Sequence, residues 1–229
     1  MKVILLLLVF TISTSIYAQK SEVLEKFEEY QFSENFLTES LKDADATHSF
    51  DAKITTINGT DTKIEESKFD PNKEIGERWM LISVNGNTPS KKEIKQFNKS
   101  HNTTQPEING RVDENSWGIE SDDSDYLVIS FKYDKSTLPK KYDFLGDCKG
   151  LAFFNKQTKM LEKAEFVNEQ PLKVKIFNVT KLDMIVTYTF NEEEQTYFIL
   201  EEELKMEVKL LGQLVDIDDI THFSNYKKQ

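Results

Sequence analysis

The sequence contains few of the residues that build disulfides, metal sites and phosphate-binding loops. Its 229 residues include one cysteine, three histidines and eight glycines. Cys148 alone cannot form an intrachain disulfide, and no histidine has a second ligand at the spacing of a zinc motif. The glycine-rich phosphate loop, the dinucleotide fingerprint and the Gly-x-Ser-x-Gly elbow are all missing. We therefore predict a non-enzymatic protein without catalytic residues, bound metal or cofactor.

Basic residues are outnumbered by acidic ones. Lysine and arginine total 29 against 40 aspartates and glutamates, which gives a formal net charge of −11. This charge argues against nucleic acids and anionic membrane surfaces as partners. The acidic runs at 122–125 and 216–219 lack the glycine and the final glutamate of a calcium loop. We predict solvated polar segments at both places.

Long apolar runs are rare, and the clearest one lies at the N-terminus. Lys2 precedes an apolar stretch from Val3 to Ile12, and small residues follow up to Ala18. This pattern predicts a secretory signal peptide over residues 1–18, cleaved between Ala18 and Gln19. The apolar stretch is about half the roughly 20 residues that a membrane span needs. We expect a periplasmic or secreted protein, with residues 19–229 as a single domain and no transmembrane segment after cleavage.

Helical periodicity is confined to two regions. Apolar residues recur at helical spacing over residues 20–46, which predicts an amphipathic helix or helix pair. A second helix is predicted after Asn85-Gly86-Asn87, with Thr88 as its N-cap and Pro89 in its first position, ending near His101. Residues 102–124 are polar and predict a long loop.

The rest of the chain alternates between apolar and polar residues, as strands do. The clearest example is Phe198–Leu210, where the apolar side chains are predicted to form one row on one face, and a break near Glu202 is left open. Asn58-Gly59 is a typical hairpin turn. Strands are predicted at 50–57, 60–69, 77–84, 126–133, 150–155, 160–167, 172–177, 182–190, 196–210 and 214–226.

Short links between these strands require antiparallel neighbours. We therefore predict a mainly β (α+β) fold. It consists of a single strongly curved antiparallel sheet of about nine to eleven strands, with two or three helices against its concave face.

Several segments resemble the LolA-like lipoprotein-carrier superfamily. They are Phe69-Asp-Pro, the stretch from Arg78 to Gly86, Pro89 opening a helix, the strand at Gly150, and Gly212 with the closing His222-Phe-Ser-Asn-Tyr226. The chain is similar over most of residues 50–226 to exported bacterial proteins thought to share this fold. The resemblance implies a half-barrel covered by helices, with an apolar cavity for acyl chains.

Aromatic residues are abundant, with sixteen Phe, eight Tyr and two Trp. Two interpretations remain open: the aromatic side chains fill a packed core, or part of the concave face stays unfilled and binds a lipid or another apolar ligand. For the second we name as candidate lining residues Trp79, Phe131, Phe153, Tyr188 and Phe198. The alternative is an envelope protein-protein interaction module with a fully packed core, in which the acidic loop 102–124 contacts a partner.

Overall fold

The computed structural model describes residues 20–33, 47–102, 110–174, 177–210 and 212–229. The predicted signal peptide, residue 19 and the part of the predicted helical region from 34 to 46 lie outside these ranges. Within them the chain forms one eleven-stranded antiparallel sheet and two α-helices, so the prediction of a mainly β fold is confirmed.

Most neighbouring strands in the sheet are also consecutive in the chain, and the large exception is the pairing of β1 with β11. The order is β3-β2-β1-β11-β10-β9-β7-β6-β5-β4, and β8 pairs with β9 outside this path. In chain order the strands β1 to β11 are His48–Asn58, Asp61–Phe69, Trp79–Val84, Gly118–Asp122, Tyr126–Phe131, Cys148–Asn155, Met160–Asn168, Leu172–Val174, Phe177–Asn191, Thr196–Leu210 and Gln213–Lys228. Short 3₁₀ helices occur at Ile75–Glu77, Lys135–Thr137 and Asp143–Asp147.

The chain forms two compact units. One comprises the described residues of Met1–Ser40 and Ile108–Ala164, and the other those of Leu41–Glu107 and Glu165–Gln229. The first unit contains the first helix and β4 to β6. The second contains β1 to β3, the second helix and β8 to β11.

The first helix, α1, covers residues 20–30 and packs within the first unit. Val23 and Phe27 are fully buried, and the Phe27 ring lies 4.9 Å from that of Phe154 on β6. At its outer side the Asp122 carboxylate accepts a hydrogen bond from Tyr30 Oη at 3.0 Å and pairs with Lys26 at 3.0 Å. These contacts fix α1 on the sheet by an apolar stripe and a polar edge.

The second helix, α2 (Lys91–His101), begins two residues later than the sequence predicts. Ser90 is its N-cap: the Ser90 Oγ accepts from Glu93 N at 3.3 Å, and Ser90 N donates to Glu93 Oε2 at 2.7 Å. The predicted cap at Thr88 is therefore wrong, because the capping box satisfies two helix-end donors at once. Phe97 of α2 packs with Leu81 and Val84 of β3. Neither described helix is long and apolar enough to cross a membrane.

The prediction of a continuous loop over 102–124 is wrong in its second half. Gly118–Asp122 forms the edge strand β4, and the Trp117 side chain before it is only 4 % exposed. The strand escaped prediction because it lies at the edge of the sheet and is mostly exposed, so its composition is polar. Residues 103–109 of this segment lie outside the described ranges.

The register of β10 contains a bulge at Leu200, which is 43 % exposed. Phe198 lies opposite Thr189, and Leu204 lies opposite Met184. Thr189 and Met184 are five residues apart on β9, so Phe198 and Leu204 project from opposite faces. The apolar row is therefore interrupted, close to the break near Glu202 that the sequence leaves open, because the extra residue reverses the alternation.

Candidate functional site

Trp79 and Phe198, two of the predicted lining residues, belong to one chain of aromatic contacts in the second unit. The Trp79 ring lies 5.6 Å from Phe50, which lies 5.2 Å from Tyr226, and Tyr226 stacks on Phe198 at 4.5 Å. Phe50 and Phe198 are buried, at 6 % and 7 % exposure. Their rings therefore contribute to a packed aromatic cluster.

Phe131 and Phe153, in the first unit, project from opposite faces of the sheet. Phe131 pairs with Gly150 and Phe153 with Val128 in an uninterrupted register between β5 and β6. Residues 150 and 153 are three apart on a regular strand, so their side chains point to opposite sides. Phe131 and Phe153 therefore cannot line the same face.

Tyr188 makes a separate contact on β9. Its ring lies 6.2 Å from Tyr197 in an edge-to-face arrangement, and its side chain is half-buried. The structure thus connects Trp79 with Phe198, whereas the described contacts of Tyr188, Phe131 and Phe153 lie elsewhere.

A different place in the second unit has the form of a binding site: an open groove of about 440 Å³ at the ends of β1, β2, β3 and β11. Strand alternation explains its position. Phe50 faces Phe69 across the β1–β2 pair, and Phe69 faces Trp79. The neighbouring residues form a second row, in which Asp51 faces Lys68 and Lys68 faces Met80.

The two rows lie on opposite faces because successive strand residues alternate. The aromatic row packs into the cluster, whereas the Asp51, Lys68 and Met80 row lines the groove. Phe50 and Phe69, whose side chains belong to the aromatic row, are also among the residues that line the groove.

One wall of the groove is formed by β1 and the end of β11 and is held by side-chain hydrogen bonds. Asn225 Nδ2 donates to Asp51 Oδ2 at 2.8 Å, and Gln229 Nε2 donates to Ser49 Oγ at 2.6 Å. The backbone φ of Asn225 is 58°, a left-handed conformation that asparagine tolerates better than most residues. It lies where the β1–β11 register shifts, and the same wall carries Lys227.

The opposite wall comes from β2, β3 and the loop that joins them. Asp70 Oδ1 accepts from Asn72 N at 3.0 Å, and Asp70 N donates to Arg78 O at 2.9 Å, which closes this loop. Arg78 Nε donates to the Lys73 carbonyl at 3.3 Å. This bond orients the guanidinium, and its two terminal nitrogens have no hydrogen-bond partner among the described residues.

The groove is cationic although the protein is acidic. Four cationic side chains, Lys68, Lys73, Arg78 and Lys227, line it together with two carboxylates, Asp51 and Asp70. Lys68 lies 3.7 Å from Asp51. Within the described part of the chain, Lys73, Arg78 and Lys227 have no carboxylate within ion-pair distance.

An exposed apolar side chain lies among these cations. Met80 lines the groove and is 46 % exposed, and Ile75 and Ile82 are 50 % and 41 % exposed. All three lie along the same stretch of chain as Lys73 and Arg78. Apolar and cationic groups therefore meet at one surface, which suits a ligand that has both an apolar part and an anionic part.

The histidines and the cysteine are engaged in packing and hydrogen bonds. His48 is 2 % exposed and its Nε2 lies 3.0 Å from Glu194 Oε2, while the His101 ring stacks on Phe97 at 4.0 Å, where burial lowers its pKa. His222 pairs with Glu201 at 2.7 Å on an exposed surface. Cys148 is fully buried, and burial raises the pKa of its thiol to about 11, so it is protonated at neutral pH. No three His, Cys, Asp or Glu side chains converge as a metal site in the ranges that the structure describes.

Comparisons with known proteins give one distant structural similarity. No family model matches the chain, and no curated protein matches it. Among solved structures, the chain is similar to the crystal structure of a DUF1329 family protein from Desulfovibrio piger ATCC 29098. The two share 9 % sequence identity over 81 % of this chain and 88 % of that chain, with a TM-score of 0.33.

Proposed function

We propose that the protein is an exported, non-enzymatic binding protein whose ligand is a lipid or another amphiphile. In this proposal residues 1–18 direct export and are removed, and the mature protein acts in the periplasm or outside the cell. The sheet corresponds to the LolA-like half-barrel that the sequence resembles.

The single observation that supports this proposal best is the groove beside β3. Its volume of about 440 Å³ lies within the range of ~300–1,000 Å³ that is typical of small-molecule sites. Exposed Met80 offers an apolar surface next to unpaired cations. The groove lies on the face of β1–β3 that is opposite to Trp79, so this site differs from the aromatic lining expected from the sequence.

Native mass spectrometry of the protein purified from the cell envelope tests the proposal, combined with extraction of bound lipid. We expect a mass adduct that the extraction identifies as an amphiphile, and a further shift when fatty acid is added. A clean mass of the free protein that does not shift with fatty acid or with a fluorescent lipid probe would contradict the proposal. N-terminal sequencing of the same sample should give Gln19 as the first residue.

The alternative is an interaction module whose sheet face is fully packed. It predicts that a protein partner, rather than a lipid, copurifies with the chain, and that deleting residues 103–116 removes that partner. Under the lipid proposal the same deletion leaves the bound lipid in place, because the described residues of this segment, 110–116, do not line the groove.

A further inference from the structure

The groove has a chemical preference that the proposed function leaves open. Binding an apolar chain requires no charge, yet four of the side chains that line the groove are cationic in a chain whose formal net charge is −11. Three of them, Lys73, Arg78 and Lys227, have no carboxylate partner in the described residues. Elsewhere many lysines are paired, as Lys26, Lys149 and Lys156 show.

We infer that the groove selects ligands with an anionic headgroup, a carboxylate or a phosphate, attached to an apolar chain. This inference rests on the proposed function. Arg78 and Lys73 hold the headgroup from the β2–β3 loop, and Lys227 approaches it from the end of β11. The chain lies against Met80.

The position of Arg78 favours this role. Its Nε is held by the Lys73 carbonyl at 3.3 Å, so the guanidinium is oriented before a ligand arrives. The two terminal nitrogens, which have no partner in the part of the chain that the structure describes, can donate in parallel to two oxygens of a carboxylate or phosphate, and such bidentate pairs are the strong ones for arginine. Lysine ammonium groups then add point charges around the same anion.

The two carboxylates that line the groove do not cancel its preference for anions. Asp51 is occupied by Asn225 at 2.8 Å and lies 3.7 Å from Lys68, and Asp70 accepts from Asn72 at 3.0 Å. Both carboxylates are thus committed to bonds within the groove walls. Four cationic side chains face these two carboxylates, so the groove keeps a net positive charge for a ligand.

Isothermal titration with two ligands of equal chain length tests the inference. The probes are dodecyl phosphate, which is anionic, and 1-dodecanoylglycerol, which is neutral, both below their micelle concentrations, with inorganic phosphate as a third probe. We expect the protein to bind dodecyl phosphate at least about tenfold more tightly than the neutral ligand. This preference should weaken as ionic strength rises, because salt screens exposed charges.

A triple variant, Lys73→Gln, Arg78→Gln and Lys227→Gln, should lose the preference and bind both ligands alike. The matched control is Lys91→Gln, Lys99→Gln and Lys173→Gln, which removes the same charge from exposed positions outside the groove. The control should keep the preference. Circular dichroism melting of both variants checks that each is folded.

The outcomes separate this inference from the proposed function. Equal binding of the two ligands by the unmodified protein would contradict the inference that the groove selects an anionic headgroup. So would a preference that persists in the groove variant. Neither result would contradict the proposed lipid binding. If neither dodecyl ligand binds, the proposed function itself fails. If inorganic phosphate binds as tightly as dodecyl phosphate, the groove is an anion site without a chain site, which also overturns the proposed function.

Discussion

Gly150 lies directly beneath the ring of Phe131, where β5 pairs with β6. A Cβ atom at position 150 would lie 2.6, 2.8 and 2.9 Å from three atoms of that ring. Phe131 has little room to move, because it is 8 % exposed and its ring lies 5.8 Å from Trp117 and 5.7 Å from Tyr133. The absence of a side chain at Gly150 is therefore what lets the Phe131 ring pack on the sheet.

We expect Gly150→Ala to lower the free energy of unfolding by about 1–3 kcal/mol, because the added methyl overpacks the site. Urea denaturation measures this change. Gly76→Ala is the matched control, since nothing lies within 4 Å of the Cβ that it would add. If Gly150→Ala lowers the free energy of unfolding no more than Gly76→Ala does, the result contradicts the packing described for Phe131.

Asp122 joins α1 to the first unit through several contacts. Its carboxylate pairs with Lys156 and Lys26 and accepts from Tyr30, and hydrogen bonding to Lys156 contributes most to lowering its pKa to about 2. The folded-state pKa therefore lies below its ordinary value of 3.8. The unfolded chain binds a proton at Asp122 between these two values, so stability from this group falls as pH drops from about 4 to about 2.

Asp122→Asn should lower the free energy of unfolding by about 1 kcal/mol at pH 7, because two ion pairs are lost at a partly exposed site. The difference from the unmodified protein should shrink towards zero as pH approaches 2. Urea unfolding at both ends of this range measures it. Asp61→Asn, at an exposed hairpin position, is the control; a difference that stays constant down to pH 2 would refute the role given to Asp122.

At the scale of elements, the turns and the regular strands were predictable. The hairpin between β1 and β2 lies one residue later than predicted: Asn58 pairs with Asp61, so the two loop residues are Gly59 and Thr60, with a positive φ of 60° at Gly59. The bounds of β10, Thr196–Leu210, are those predicted from alternation. These elements are specified by local backbone preference and by one buried face, and both are visible in the sequence.

The elements that sequence reasoning missed depend on partners distant in the chain. The bulge at Leu200 is visible in the pairing of β10 with β9, not in the order of residues along β10. Strand β4 lies at the edge of the sheet and is polar, so its composition does not reveal a strand. It is recognised as a strand by its pairing with β5. Register and edge position are tertiary properties, and composition alone does not encode them.

The start of α2 gives a test at this scale. Ser90→Ala should lower the free energy of unfolding by about 1 kcal/mol, because the helix loses a side-chain acceptor for Glu93 N. Thermal or urea unfolding measures the loss. Ser90→Asp retains an acceptor and should restore most of it, and Thr88→Ala should have little effect. If Thr88→Ala lowers the free energy of unfolding more than Ser90→Ala does, the N-cap is Thr88, as the sequence alone predicts, and the structural assignment of Ser90 is contradicted.

At the scale of the whole molecule, the candidate site is assembled from residues far apart in the chain. Lys68, Lys73 and Arg78 come from the β2–β3 region, and Lys227 from the end of β11. No local spacing connects them, so a motif search does not find them. The stretch from Arg78 to Gly86 did point to this region, as part of the LolA-like resemblance, but as evidence of fold.

The number of aromatic residues leaves a packed core and a partly unfilled face both open. Trp79 and Phe198 extend a cluster in which Phe50 and Phe69 stack at 4.8 Å. Aromatic content does not distinguish a packed face from an open one, since both need large apolar side chains. The groove is lined by the row of Asp51, Lys68 and Met80, which backbone alternation separates from the aromatic row.

The most direct test of the account is to locate a bound amphiphile by paramagnetic relaxation in solution. The probe is stearic acid with a nitroxide near the end of its chain, added to isotopically labelled protein. We predict that amide signals broaden around the groove, at Ser49, Lys68, Met80 and Asn225, and recover when the nitroxide is reduced. No broadening at all, or broadening centred on Phe131, Phe153 or Tyr188 while the groove signals stay sharp, would contradict the account.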